Sequence, residues 1–297
     1  MNILITGATG LIGRALVKQW RGQHQLHILS RSSVKARQSL AIDGSYYQSL
    51  DDVDLNQIDA VINLAGEPIA NKRWSTSQKQ KICQSRWQLT EALAEKIQQC
   101  TTPPKVLLSG SAIGFYGRQG STVVTEEHSS FYPEFSHDIC ARWENLAQRA
   151  ASHQTRVCML RTGIVLSSEG GALAKMLPPF KLGLGGPLGD GKQFMSWIHL
   201  ADMVRLIDFL LQRDDLTGAF NATAPRPVTN KQFSRLLAER FNKKAPFTVP
   251  AFVLRLAFGE MADILLFGQN VQPKRLLDNG FQFHHPQLKE ALNALQF

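Results

Sequence analysis

Short apolar runs alternate with longer amphipathic stretches through the first half of the chain. Ile3 to Ile5 is such a run and reads as a buried strand. Leu11 to Trp20 has helical periodicity, and Gln25 to Leu29 is a second strand. Ala60 to Leu64 makes a third. Ser77 to Gln98 reads as a long helix, Lys105 to Ser109 as a strand, Ser136 to Ala151 as a helix and Arg156 to Arg161 as a strand. This alternation predicts a Rossmann-type α/β fold, a doubly wound parallel sheet with helices on both faces. Ligands of such sheets lie beyond the carboxyl ends of the strands, so the residues at those ends are candidate pocket walls.

The pattern changes after Leu166. Gly170-Gly171, Pro178-Pro179 and Gly183-Leu184-Gly185-Gly186-Pro187 are turn signals, and they predict a loop over about 167–197 that serves a second lobe. Ile198 to Gln212 resumes as a helix, and Ala219 to Ala222 returns as a strand. Thr229 to Asn242 is a helix capped by Thr229 or Asn230. Ala251 to Phe267 reads as a buried helix pair, too interrupted by Arg255, Glu260 and Asp263 to span a bilayer. The expected division is a dinucleotide-binding domain over 1–225 and a small, mostly helical C-terminal domain over 226–297.

Between the first strand and the first helix stand Gly7, Gly10 and Gly13 at three-residue spacing. Gly7 would permit the tight turn. Gly10 would let the backbone approach a pyrophosphate. Gly13 would let helix and strand pack closely, with the helix N–H groups aimed at the phosphates. The second strand ends in Ser30-Arg31-Ser32-Ser33. NAD-specific turns carry an acid near this point, to bind the ribose 2′-hydroxyl. Arg31 in its place suits a 2′-phosphate, so NADP is the expected cofactor.

Composition narrows the classes further. The chain has 297 residues, 43% of them hydrophobic, and a formal net charge of +9. Its basic residues are scattered and form no stripe interleaved with aromatics, so no nucleic-acid partner is expected. An anionic small molecule, or solubility alone, accounts for the charge. Cys83, Cys100, Cys140 and Cys158 form no C-x-x-C pair, and the histidines do not cluster at metal spacing. No metal site is expected, and the cytoplasm is the natural compartment. The first residues read as a strand, so neither a basic leader nor a membrane segment is expected.

Four stretches resemble the short-chain dehydrogenase/reductase superfamily in its extended, sugar-nucleotide-epimerase-like branch. They are Asn63 to Ile69, Ser109 to Gly114, Leu177 to Pro187, and Pro273 to Leu277 with Gly280-Phe281. More narrowly they resemble its atypical, YfcH-type epimerase family, which ends in a short DUF1731-type domain. The superfamily's usual catalytic pair is Tyr-x-x-x-Lys, and this chain has none. The residues four beyond Tyr46, Tyr47, Tyr116 and Tyr132 are Leu50, Asp51, Gly120 and Ser136. Counting back from Glu144, which matches the glutamate after the motif, puts Cys140 at the lysine position and Ser136 at the tyrosine position. A serine without a basic partner is a poor proton donor near neutral pH.

The resemblance implies cofactor contacts from Gly7, Thr9, Gly10, Leu11, Ile12, Gly13, Ser30, Arg31, Leu64, Ala65, Gly66, Glu67, Arg86, Ser109, Gly110, Arg161 and Gly163. Arg86 would reach a phosphate or the cofactor ribose; a helix-surface ion pair is the other reading. Ser111 matches the serine that polarises a substrate carbonyl, although strand-end serines are also routine caps. Tyr116 is the nearest replacement donor, or else part of a pocket wall. His199 would titrate near neutral pH or serve a helix cap. Lys181 and Lys192 would meet an anionic substrate or stay solvated. Two functions follow: an NADP-dependent oxidoreductase or epimerase-like enzyme with a non-standard donor, or a non-catalytic NADP-binding sensor or scaffold. Neither the substrate nor the oligomeric state is written in the sequence.

Overall fold

The computed structural model describes all 297 residues. Seven strands form the central sheet: β1 (Asn2–Thr6), β2 (Gln25–Leu29), β3 (Ser45–Tyr47), β4 (Ala60–Asn63), β5 (Val106–Ala112), β6 (Arg156–Thr162) and β7 (Gly218–Ala222). Their spatial order is 3-2-1-4-5-6-7, and every pairing is parallel. The order reverses between β1 and β4, which opens a crevice at their carboxyl ends. This is the Rossmann-type doubly wound architecture.

Alternate residues of each strand feed opposite faces. Ile3, Ile5, Ile28, Ile62, Leu108, Leu160 and Phe220 pack on the side of α1 (Leu11–Trp20), α2 (Ser33–Leu40) and α6 (Leu200–Gln212). Leu4, Leu29, Val61, Leu107 and Val157 pack on the side of α3 (Thr76–Gln98) and α4 (Phe135–Gln148). With both faces covered, the strands read as unbroken apolar runs. Each fully buried Leu or Ile contributes about 1.5–3 kcal/mol, so these layers dominate the folding energy.

The region after Leu166 departs from expectation. It carries a helix, α5 (Gly171–Lys181), with Pro178 and Pro179 inside it. Leu173, Leu177 and Phe180 recur at helical spacing on its buried face. Their burial against Trp197, Phe233, Leu237, Leu288 and Leu292 outweighs two missing N–H donors in the last turns. Ile198 lies in a short strand, Trp197–His199, paired in parallel with Ile164–Leu166, so the following helix begins only at Leu200. In the next helix, α7 (Asn230–Glu239), Thr229 is the cap and forms a capping box with Gln232.

The segment Ala251 to Phe267 is not a buried pair. Its first helix, α8 (Ala251–Phe258), buries only Leu254 and exposes 71% of Phe252 and 79% of Leu256. A 3-10 turn (Gly259–Ala262) and a single helical turn (Asp263–Leu266) complete it. The chain then returns to the sheet side, where Asn270–Val271 pairs in parallel with Val123–Val124. No helix is long and apolar enough to cross a membrane.

His199 shows how the C-terminal tail is fastened. Its Nδ1 accepts the Ala201 amide at 3.2 Å, capping α6, and its ring centroid lies 4.1 Å from that of His285. Fully buried Asp202 accepts the His284 and His285 amides, each at 2.8 Å. Burial first, then the neighbouring His285, depresses the His199 pKa to about 4, so it does not titrate near neutral pH. The unfolded chain binds this proton near 6.5 and the folded chain only near 4. Stability from this residue is therefore complete above the upper value and falls as pH drops through the window. His199→Asn keeps a cap and removes the titration. Urea denaturation from about pH 7 to about pH 4.5 should show a shallower loss of stability in the variant than in the parent.

Candidate functional site

The β1–α1 turn is built by steric necessity. Gly7 has φ +71°, and a Cβ there would stand 2.6 Å from the Leu64 carbonyl carbon. At Gly13 a Cβ would stand 2.3 Å from the Gly7 oxygen, so only glycine lets α1 start this close to β1. Gly10 is exposed, and a Cβ there would meet only the Gly7 oxygen, at 3.2 Å. Helix α1 begins at Leu11 with no side-chain cap and no acid in its first turn. The open amides of Leu11, Ile12 and Gly13, with Thr9 and Gly10 exposed beside them, form a cradle fit for a phosphate.

The end of β2 lies one strand away. Arg31 is exposed and makes neither a hydrogen bond nor an ion pair, while the Ser32 hydroxyl caps α2 by accepting the Lys35 amide at 3.4 Å. The half-buried Ser30 hydroxyl donates to the Ser32 carbonyl at 3.4 Å. Arg31 therefore has its whole fork available beside the crevice.

A buried polar knot holds the other lip. The Thr6 hydroxyl donates to Asn63 Oδ1 at 2.7 Å and accepts the Ala65 amide at 3.1 Å. Asn63 Nδ2 donates to the Thr90 hydroxyl at 2.8 Å, and Trp143 Nε1 donates to the same oxygen at 2.9 Å. These bonds fix the backbone of Leu64, Ala65 and Gly66 at the crevice. Sequence reasoning missed the roles of Thr6, Thr90 and Trp143; the one signal was a polar residue closing each of two apolar strands. Glu67 is half-buried and accepts Gln78 Nε2 at 3.3 Å through its carboxylate. Ser109 and Gly110 are buried, and a Cβ at Gly110 would lie 2.8 Å from the Trp143 ring.

A second buried network runs through the centre expected to be catalytic. The Ser111 hydroxyl donates to Glu144 Oε1 at 2.6 Å. Arg161 grips the same carboxylate with Nε at 2.9 Å and Nη2 at 2.8 Å, and both side chains are 8% exposed. Arg161 Nη1 donates to the Tyr116 hydroxyl at 2.9 Å, and that hydroxyl donates to Asn221 Oδ1 at 2.7 Å. The Arg161 guanidinium also lies 3.5 Å from the Phe115 ring centroid. Tyr116 has no exposed surface, and burial raises its pKa. Its phenol is part of the packing, where a donor role would require the shell to open. Arg161 is likewise committed to Glu144. Gly163 faces the Ser196 carbonyl, where a Cβ would come within 2.5 Å, and so marks a close backbone crossing.

The two positions of the missing dyad are filled by small groups. The Ser136 hydroxyl donates to Glu134 Oε1 at 2.6 Å. Cys140 is buried beside Ser111, and burial pushes its thiol up to about 12, so it stays neutral. Arg86 is not on a helix-surface ion pair. It is half-buried against Gly66, with its guanidinium carbon 5.2 Å from the Trp143 ring centroid. Lys181 and Lys192 are exposed on the other lobe, where Lys181 lies over Phe241 at 5.9 Å. No group of three or more His, Cys, Asp or Glu side chains is placed to hold a metal.

Residues 3–222 match the NAD dependent epimerase/dehydratase family, and residues 249–295 match a domain of unknown function, DUF1731. An epimerase family protein of Mycobacterium bovis is 39% identical over 98% of this chain and 96% of its own length. The mouse epimerase family protein SDR39U1 is 34% identical over 98% of each chain. Human SDR39U1 (isoform 2), solved with NADPH, superposes with a TM-score of 0.90 at 32% identity over 98% of each chain.

The Ser111–Glu144–Arg161 network makes a direct prediction. Glu144→Gln leaves Arg161 buried without a counter-charge, which costs about 3–5 kcal/mol. Chemical denaturation should show that loss; a change below about 1 kcal/mol would mean that the pair is not buried as described.

Proposed function

The chain belongs to the NAD dependent epimerase/dehydratase family, and from that membership we propose that it binds NADP(H) in preference to NAD(H) and acts as an oxidoreductase or epimerase-like enzyme without the tyrosine–lysine dyad. The cofactor choice rests on one observation, the free Arg31 fork at the end of β2. It suits a 2′-phosphate and offers nothing that prefers a 2′-hydroxyl. The glycine turn and the open α1 amides suit the pyrophosphate. The NADPH held by human SDR39U1 supports the same reading.

A bound dihydronicotinamide supplies hydride; the chain must orient a substrate beside it and manage a proton. The Ser111 hydroxyl already donates its hydrogen to Glu144, whose carboxylate Arg161 also grips. Toward the cleft the serine oxygen therefore presents lone pairs, and it orients a substrate donor more readily than it polarises a carbonyl. This differs from the superfamily role that the sequence implied for it. The substrate is a small molecule, and the four free cysteines suit the reducing cytoplasm. A second reading, a non-catalytic NADP(H) sensor or scaffold, is favoured by the sealed Tyr116 phenol.

Calorimetric titration tests the cofactor. Arg31→Ala should weaken NADPH roughly tenfold or more, the worth of a lost charge-assisted bond, and leave NADH unchanged. Equal affinities for the two cofactors in the parent would overturn the assignment. Turnover tests the reaction. NADPH oxidation against a panel of carbonyl compounds should be slow, and Tyr116→Phe should leave it unchanged. A fall of about 10²–10⁴-fold in that variant, with NADPH affinity retained, would make Tyr116 the general acid after all.

A further inference from the structure

Arg86 projects from α3 into the crevice wall with only part of its guanidinium engaged. Its Nη1 donates to the carbonyl oxygens of Glu67 and Ile82, both at 3.0 Å. Those two bonds fix the orientation of the group. Its Nε and Nη2 make no hydrogen bond, and it forms no ion pair. Glu67 gives it only a carbonyl and turns its carboxylate to Gln78. Gly66 packs closely on the guanidinium, since a Cβ there would stand 2.9 Å from Cζ and 3.1 Å from Nη2, so that no side chain of residue 66 covers the free edge. Burial lowers the Arg86 pKa, as expected of a cation short of counter-charge.

Two of the cations nearby are matched by carboxylates, while Arg142 lies over the Trp87 ring, its guanidinium carbon 4.3 Å from the centroid. Arg161 is held by Glu144, and Lys79 by Glu260. Trp143, on which Arg86 leans, covers Gly110, and the next residue is Ser111. Arg86 thus stands between the chain leaving β4, at Gly66 and Glu67, and Trp143 of α4, whereas the α1 amides and Arg31 are on the β1–β2 side.

We propose that the Nε–Nη2 edge of Arg86 anchors a carboxylate group of the substrate, in the same cleft as Ser111. This rests on the reading that a dinucleotide occupies the Gly7–Gly13 turn. A planar carboxylate matches a free guanidinium edge with two parallel bonds. One unmatched positive charge balances a monoanion. A phosphate dianion would need a second cation on the same edge, and no other Lys or Arg side chain bonds to the groups that hold Arg86. The substrate class is a small carbonyl or hydroxyl compound bearing a carboxylate.

The test uses the full chain labelled with ¹⁵N-arginine and saturated with NADPH. Sodium acetate is titrated against sodium chloride at constant ionic strength, and inorganic phosphate in a parallel arm. The Arg86 Nε–H resonance is identified by its loss in Arg86→Gln and in Arg86→Lys, so one well-folded variant suffices. Acetate should shift it saturably, and phosphate should bind roughly tenfold more weakly or not at all. Arg86→Lys keeps the charge without the fork, and acetate, followed by calorimetry, should bind it about fivefold more weakly or worse. Either variant should hold NADPH within about twofold of the parent. The proposal is overturned by an unsaturable acetate shift or by tighter binding of phosphate. A loss of about tenfold or more in NADPH affinity in both variants would also overturn it and assign Arg86 to the cofactor. If the parent binds no NADPH, the turn reading fails before acetate is added. The same titration without NADPH then still decides whether Arg86 takes a carboxylate.

Discussion

The backbone of Gly7 lies so close to that of Leu64 and Ala65 that no side chain fits between them. This contact joins β1 to the chain leaving β4 at the point where the strand order reverses. Everything used for binding is placed relative to it. Gly13 stacks α1 against the same turn, which aims the open helix amides into the crevice. Thr6 then bonds both Asn63 and the Ala65 amide, so the two lips are held by buried hydrogen bonds as well as by packing. Unpairing either group inside the protein would cost about 1–3 kcal/mol, enough to keep the crevice rigid before any ligand arrives.

Where the superfamily carries its tyrosine and lysine this chain has Ser136 and Cys140, and a buried network of Ser111, Glu144, Arg161 and Tyr116 lies beside them. A buried ion pair of this kind contributes little net stability, because removing both charges from water costs about as much as their attraction returns. What it supplies is register. Glu144 on α4 ties Ser111 at the end of β5 to Arg161 on β6, and Arg161 continues through Tyr116 to Asn221 on β7. Four elements converge on one fully paired network. Its hydroxyls each donate to an internal acceptor, Ser111 to Glu144 and Tyr116 to Asn221.

The fold was legible because its main signal is local. The apolar runs of β1, β2 and β4 and the periodicity of α1 and α3 identify themselves within a few residues of their true ends. The glycine turn was readable for a similar reason, since close packing and positive φ leave glycine little competition at Gly7 and Gly13. Failures came where distant packing outvotes local preference. Pro178 and Pro179 argue against helix locally, yet Leu173, Leu177 and Phe180 fold that stretch into one. The apolar letters of α8 argue for burial, yet Phe252 and Leu256 face outward, since nothing in this chain packs on them. The placement of Tyr116 depends on Arg161 and Asn221, which lie 45 and 105 residues away in sequence, and no single-sequence pattern reports such a contact.

The chemistry that remains follows from what is immobile. Cys140 is neutral and buried, Ser136 is bonded to Glu134, and the Ser111 hydroxyl donates to Glu144. None of these groups has a pKa brought toward the working pH by a basic partner, the condition under which a side chain gives or takes protons efficiently. What the protein still controls is position. On the proposed reading, a cation with one free edge at Arg86 and an oxygen at Ser111 would fix two points of a bound molecule. Holding reactants in register lowers a barrier without any proton donor, through the entropy already lost on binding. If the chain is catalytic as proposed, such a cleft would suit a substrate that supplies its own acidic proton or draws one from water, without the rate that a tuned tyrosine would add.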